Sequence, residues 1–300
     1  MTRRLKALTS TSDLALYTRT AQLSSARIIH EYSTSFRMAS RLLGSRVRTD
    51  IENIYALVRI ADEIVDGAAD QAGLDIDAQR GILDRLEAET ERAMTEGYSS
   101  NLVVHSFAAT ARRTGIDHAI VAPFFSSMRR DLGAVDFSAS ELSDYVYGSA
   151  EVVGLMCLRA FIVDTPVTEG EQHRFETGAR HLGSAFQKVN FLRDLSVDWG
   201  DLGRCYFPGV DPVNLSESEK LSLVAEIDAD LDEAAAVIPD LPRDCRRAVV
   251  ASHAIFAELN DRIRRTPAAE LAERRVRVPN SVKLAILVRA IAFGQAGRQP

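Results

Sequence analysis

The sequence predicts an all-α fold, a single helical bundle, on three observations. Apolar residues recur at helical spacing along most of its 300 residues, strand-like alternation is scarce, and glycine and proline cut the periodic stretches into pieces of helix length. The stretches run over 14–42, 51–65, 78–94, 101–113, 116–132, 141–161, 169–198, 216–237 and 243–265. Gly67 closes the second, Gly97 with Ser99 and Ser100 the third, and Gly133 the fifth; Thr165-Pro166 closes the sixth, and the pair Pro239 and Pro242 separates the last two. Roughly eight to ten helices follow. No fixed-period repeat, low-complexity tract or Gly/Ser/Pro linker divides them, so one domain is expected over 25–290, with an N-terminal segment 1–24 and a C-terminal tail 291–300 outside it. The segment 199–212 is the longest irregular stretch and is expected to be a flap over a site.

Composition narrows the function. A hydrophobic fraction of 46% with 26% charged residues is that of a globular protein, and a net charge of −6 argues against nucleic acid as partner. Cys157, Cys205 and Cys245 form no CxxC pair and read as reduced thiols, which with the absence of a signal-peptide pattern points to the cytoplasm. Uncharged apolar stretches such as 152–158 fall far short of the roughly 20 residues that span a bilayer, so peripheral contact with the inner membrane face is the only membrane attachment expected.

Two helices carry chemistry. On 51–65, Tyr55, Arg59, Asp62, Glu63 and Asp66 share one face, which taken alone reads as the solvated side of an amphipathic helix. On 169–198, Gln187, Asn190, Asp194 and Asp198 follow at steps of three, four and four, with Arg193 beside them. The pairs Asp62/Asp66 and Asp194/Asp198 both have one-turn spacing, which places their β-carbons about 5–6 Å apart on one helix face. Two such acidic faces suit hard cations. Magnesium takes oxygen ligands and is typically held by one or two carboxylates plus substrate phosphates, so a diphosphate is the natural companion ligand. Arginine binds such a group through two parallel hydrogen bonds, a role open to Arg59 and Arg193. Ser33 and Ser35 precede a helical stretch and read as caps, and Tyr145 and Tyr147 read as core tyrosines.

The motifs Tyr-x-x-x-Arg-x-x-Asp-Glu-x-x-Asp at 55–66 and Gln-x-x-Asn-x-x-Arg-Asp-x-x-x-Asp at 187–198 resemble the two signatures of the squalene/phytoene synthase family. Tyr32 to Phe36, Tyr145-x-Tyr147-Gly148 with Val153-Gly154, Gly203 to Pro208, and Arg274-Arg275 with Val278-Pro279 and Lys283 extend the resemblance over about 25–290. It implies an isoprenoid-synthase bundle whose two acidic helices face each other across a central cavity. The implied reaction joins two prenyl diphosphates head to head. Asp62, Asp66, Asn190, Asp194 and Asp198 match the positions that hold metal and diphosphate. Ser33, Ser35, Phe36, Tyr55, Arg59, Gln187 and Arg193 match substrate contacts, and Tyr145 matches a tyrosine at the reaction centre. The cofactor implied is Mg2+, with Mn2+ as substitute; NADPH is not expected, in keeping with the lack of a GxGxxG fingerprint. Phe36, Val152, Val153 and Leu155 are expected to wall the cavity, and Tyr145 or Tyr147 to assist proton removal.

Ser40, one turn past Phe36, presents little bulk at a cavity floor, which favours two geranylgeranyl diphosphates giving 15-cis-phytoene for a downstream desaturase. The alternative is farnesyl diphosphate giving presqualene diphosphate, squalene or dehydrosqualene. A non-catalytic helical binding protein of the same fold is the reading outside enzymes. A late-helix tyrosine of the family stands here as Phe256.

Overall fold

Helix accounts for 81% of the computed structural model, which describes residues 12–133, 137–202, 206–211, 214–271 and 273–296 and contains no strand among them. The helices are α1 (Asp13–Tyr32), α2 (Thr34–Ser40), α3 (Ser45–Val65), the short α4 (Ala68–Gln71), α5 (Ile76–Glu96), α6 (Leu102–Thr114), α7 (His118–Arg130), α8 (Ala139–Val146), α9 (Val152–Ile162), α10 (Glu169–Leu202), α11 (Glu217–Val237), α12 (Arg243–Arg265), the short α13 (Ala268–Leu271) and α14 (Asn280–Ala296). A π turn, Tyr147–Glu151, joins α8 to α9.

Local chemistry sets the helix ends. Ser138 with Glu141 and Ser216 with Glu219 form reciprocal capping boxes at the starts of α8 and α11. Asp75 caps α5 and Asn101 caps α6, while Gly97 takes a left-handed φ of 84° just past α5. The stretch expected as one helix over 14–42 is two, because Ser33 adopts extended backbone and its Oγ accepts from the Phe36 amide at 3.1 Å, starting α2. The expected boundaries at residues 24 and 290 both fall inside helices, α1 and α14. α1 packs on α3 and α6 and so belongs to the bundle. The expected loop 199–212 begins later than predicted, since α10 continues to Leu202.

Two large core clusters, with two smaller ones, pack around a central rod. On one side α3, α5, α6, α7 and α9 bury Phe107, Phe124 and Phe125 completely; on the other α10, α11 and α12 bury Leu192, Ile227 and Ile263. The rod is the run Ala139–Ile162. By length and composition it is apolar enough to cross a bilayer, contrary to the expectation from uncharged runs alone, but it packs on α3, α7 and α10 inside the bundle. Arg46 ties three elements together, reaching Asp244 on α12 at 2.6 Å and the carbonyl of Phe161 on α9 at 2.8 Å.

Candidate active site

α3 and α10 both pack against α9, and all three line one cavity of about 1120 Å3. Along α10 the lining runs from Phe175 to Asp194, a wall of about 28 Å at 1.5 Å rise per residue. Its chemistry is graded. Phe175 and Leu182 lie towards its start, with Leu158 and Phe161 of α9 and Val237 and Leu241 also in the lining; Gln187, Asn190, Arg193 and Asp194 lie at its other end. From α3 come Tyr55, Arg59, Asp62 and Asp66. The cavity therefore has a greasy depth and a polar end, the shape an amphiphile with a charged head requires.

Asp62 and Asp66 border the cavity as the one-turn spacing predicts. Burial, opposed by Arg59 and reinforced by Asp66 and then Glu63, lifts the Asp62 carboxyl from 3.8 to about 7. A carboxyl so placed would be favoured in its charged form by a nearby cation. Arg59 pairs with Glu63 and lies 4.5 Å over the Tyr32 ring. Ser33 interacts with the Tyr55 hydroxyl besides capping α2, so the capping role and the site role coincide. Phe36 stands 6.0 Å from Tyr55 and 6.2 Å from Phe256 between ring centroids, and Phe256 stacks on Phe186 at 3.7 Å.

On α10, Gln187, Asn190, Arg193 and Asp194 all reach the cavity. The Asn190 Oδ1 is buried with no hydrogen-bond partner among the described residues. Asp194 accepts from Arg193 Nε at 2.9 Å and from Arg275 Nε at 2.6 Å. The side chains of Ser35 and Asp198, and the whole of Arg204, lie outside the described residues. Among the described residues no three carboxylate, histidine or thiol groups converge to hold a metal by themselves.

Tyr145 lies in the cavity wall, stacked at 5.7 Å on Tyr206 and 6.1 Å from Phe191. Its hydroxyl donates to Asp131 at 2.6 Å. Burial, then Asp131 and Tyr206, raise its pKa well above 10. The phenol thus donates to Asp131 from within the cavity wall, and burial disfavours its phenolate. Tyr147 does not line the cavity; its ring lies beneath Arg180. Of the four expected wall residues, Phe36 and Val153 line the cavity, whereas Val152 and Leu155 pack into the α3/α7 core. Ser40 does line it.

Sequence reasoning missed Asp131 as a site residue and gave no role to Arg275 or Lys283, all of which line the cavity. Asp131 carries no helical motif, sitting just beyond α7; Arg275 and Lys283 follow a stretch without periodicity. Tyr145→Phe is expected to leave Asp131 without this donor and to cost about 1–3 kcal/mol, read as a fall in Tm, together with a loss of turnover.

The model of the squalene/phytoene synthase family matches residues 29–212, which hold both acidic motifs. The chain belongs to the squalene/phytoene synthase family. It is 29% identical over 280 residues to a 15-cis-phytoene synthase of Paracoccus sp. (strain N81106 / MBIC 01143), covering 88% of this chain and 89% of that one. It is also 29% identical over 182 residues to a 4,4'-diapophytoene synthase of Staphylococcus haemolyticus (strain JCSC1435), covering 60% of each. In structure it resembles a dehydrosqualene synthase solved in complex with ligand, with a TM-score of 0.76 at 21% identity over 95% of this chain and all of that one. Members of the squalene/phytoene synthase family are prenyltransferases that condense two prenyl diphosphates head to head, and the fold is the all-α isoprenoid-synthase bundle.

Proposed function

We propose that this squalene/phytoene synthase condenses two geranylgeranyl diphosphates through prephytoene diphosphate to 15-cis-phytoene. The observation that carries the reading is the single cavity that joins both acidic motifs to a long apolar wall. Asp62, Asp66, Asn190, Asp194 and Asp198 offer hard oxygens suited to magnesium, and the orphaned Asn190 Oδ1 and the raised Asp62 carboxyl fit such a cation. Magnesium would neutralise the departing diphosphate.

Arg59 and Arg193 grip diphosphate oxygens as the first carbon–oxygen bond breaks. The double bond of the second substrate attacks the allylic cation, one proton leaves, and the cyclopropane closes. Breaking the second carbon–oxygen bond allows rearrangement, and loss of another proton gives the central double bond of the C40 product. The departed diphosphate is the proton acceptor, since Tyr145 is committed as a donor. The faces of Phe36, Tyr145 and Phe191 stabilise the cationic carbon, and the apolar walls exclude water from it. No hydride donor enters this proposed sequence. A desaturase acting on a polyene is the class of enzyme that would consume the product.

The C20 preference rests on the length of the α10 wall and on Ser40, whose small side chain leaves depth beside Leu43 and Ile51. Comparing kcat/KM for geranylgeranyl and farnesyl diphosphate tests it: the C20 substrate should lead by about tenfold or more, a difference of roughly 1.4 kcal/mol. Ser40→Phe should invert that order. A lead for farnesyl diphosphate in the unaltered protein would move the assignment to the C30 branch.

Such substrates reach the enzyme from a membrane. Of the basic residues expected to meet the inner membrane face, Arg3, Arg4 and Lys6 lie outside the described residues, while Arg19 and Arg27 are exposed on α1 beside Leu16 and Leu23, exposed by 58% and 63%. That face suits peripheral attachment to anionic lipid. Leu16→Asp with Leu23→Asp should reduce co-flotation with anionic liposomes several-fold; unchanged flotation would remove α1 from the contact.

A further inference from the structure

Asp131 stands where a carboxylate is costly to keep. It caps the C-terminal end of α7 and is only 3% exposed. Burying a charge is unfavourable, and a negative charge at a helix C-terminus opposes the helix dipole. Its chain neighbours Arg129 and Arg130 pair with other acids, Asp84 and Glu87 on α5 and Glu141 on α8. A residue placed against local stability points to a task at the site it borders. Asp131 lines the cavity and accepts from the Tyr145 hydroxyl at 2.6 Å, a length typical of charge-assisted bonds, which are roughly twice as strong as neutral ones. The Tyr145 ring is packed among Phe137 at 4.9 Å, Tyr206 at 5.7 Å and Phe191 at 6.1 Å, and the last two line the cavity with it. Ser127 donates to the Tyr145 carbonyl at 3.1 Å, so α7 holds this residue by both backbone and hydroxyl. Hydrogen bonds polarise the groups that make them, and a carboxylate accepting the phenol proton drives electron density into the ring, whose face attracts a cation.

We propose that Asp131 is a positioning residue that acts through Tyr145, fixing the ring in the cavity wall and enriching the face it offers to a cationic carbon. It neither touches the substrate nor holds the metal. This inference rests on the reading of the cavity as the site of head-to-head condensation.

The test is a double-mutant cycle on the purified full chain, with Asp131→Asn, Tyr145→Phe and the double variant. Each is checked for folding by circular dichroism and assayed for hydrocarbon from the prenyl diphosphate that the parent turns over fastest. Asp131→Asn keeps the shape and loses the charge; it should lower kcat by about tenfold and leave KM within about twofold, the pattern of an interaction made in the transition state. Tyr145→Phe should lower kcat at least as far. In that background Asp131→Asn should change kcat by less than about twofold, because the group it acts through is gone. Binding of Mn2+ with inorganic diphosphate, followed by electron paramagnetic resonance, should be the same for Asp131→Asn as for the parent. Asp131→Glu, which keeps the charge but moves it by one methylene, takes the place of the amide in the same cycle if the amide does not fold. Losses that multiply in the double variant would overturn the action through Tyr145, as would an unchanged kcat in either folded single variant. Weakened Mn2+ binding would make Asp131 a metal ligand instead. In all these cases the reading of the cavity would stand, whereas a folded parent that forms no hydrocarbon from either the C20 or the C15 diphosphate would overturn that reading and the inference with it.

Discussion

Asp62→Asn is expected to lower turnover by about 10²–10³-fold while making the metal-free protein more resistant to heat at pH 8. Both effects come from one carboxylate. In the proposed reaction its charge would hold a cation against the departing diphosphate, and asparagine does not supply it. Without metal the same charge is a liability, because burial first and then Asp66 and Glu63, against Arg59, raise the group from 3.8 to about 7. The folded state thus keeps a proton that the unfolded chain has already released. The stability this group contributes is present in full below about pH 4 and is lost as pH rises through about 7. Each pKa unit corresponds to about 1.36 kcal/mol, and because the carboxyl is only partly buried and faces an open cavity, solvent screening leaves about 1–2 kcal/mol of the effect. Thermal unfolding in EDTA should show Asp62→Asn above the parent by a few degrees at pH 8, with the gap closing towards pH 4. A gap of the same size at both ends would show that Asp62 does not titrate as the structure implies.

Gly183→Ala should destabilise the protein strongly for a single methyl added to the cavity wall. Gly183 lies where α10 crosses the π turn, and a β-carbon there would press on the Ala150 carbonyl at 2.5 Å and the Glu151 α-carbon at 3.0 Å. Both are backbone, so no side chain can swing aside. Overpacking of this kind costs about 1–3 kcal/mol, and with two helices held apart the upper end is expected, a drop in Tm of several degrees. Activity should fall further than stability, since the π turn carries Ser149 and Ala150 in the lining and continues directly from Tyr145. Gly170 tests the locality of the effect: it has open space around it, and alanine there should change neither property.

Much of this architecture was legible because its signals are local. The 3.6-residue period marks α3, α5 and α6 within a few residues, and the one-turn spacing of Asp62/Asp66 puts both carboxylates at the cavity, as observed. What the sequence concealed depends on tertiary placement. α14 carries Val282 and Ile286 opposite Leu284, Leu287, Val288 and Ile291, so apolar residues lie on both faces and no single stripe reveals it. Asp131 becomes a site residue only because α8 brings the Tyr145 hydroxyl to it, and Val152 and Val153, adjacent in sequence, part company between core and cavity according to the phase of the helix leaving the π turn. The raised pKa of Tyr145 is likewise a product of burial, which no spacing encodes.

The most direct test is incubation of the purified chain with magnesium and labelled geranylgeranyl diphosphate, without NADPH, followed by chromatography of the hydrocarbon extract. The proposed function predicts a C40 hydrocarbon with two diphosphates released per molecule formed. Folded protein that yields no hydrocarbon from either the C20 or the C15 diphosphate would contradict the assignment of this cavity to head-to-head condensation.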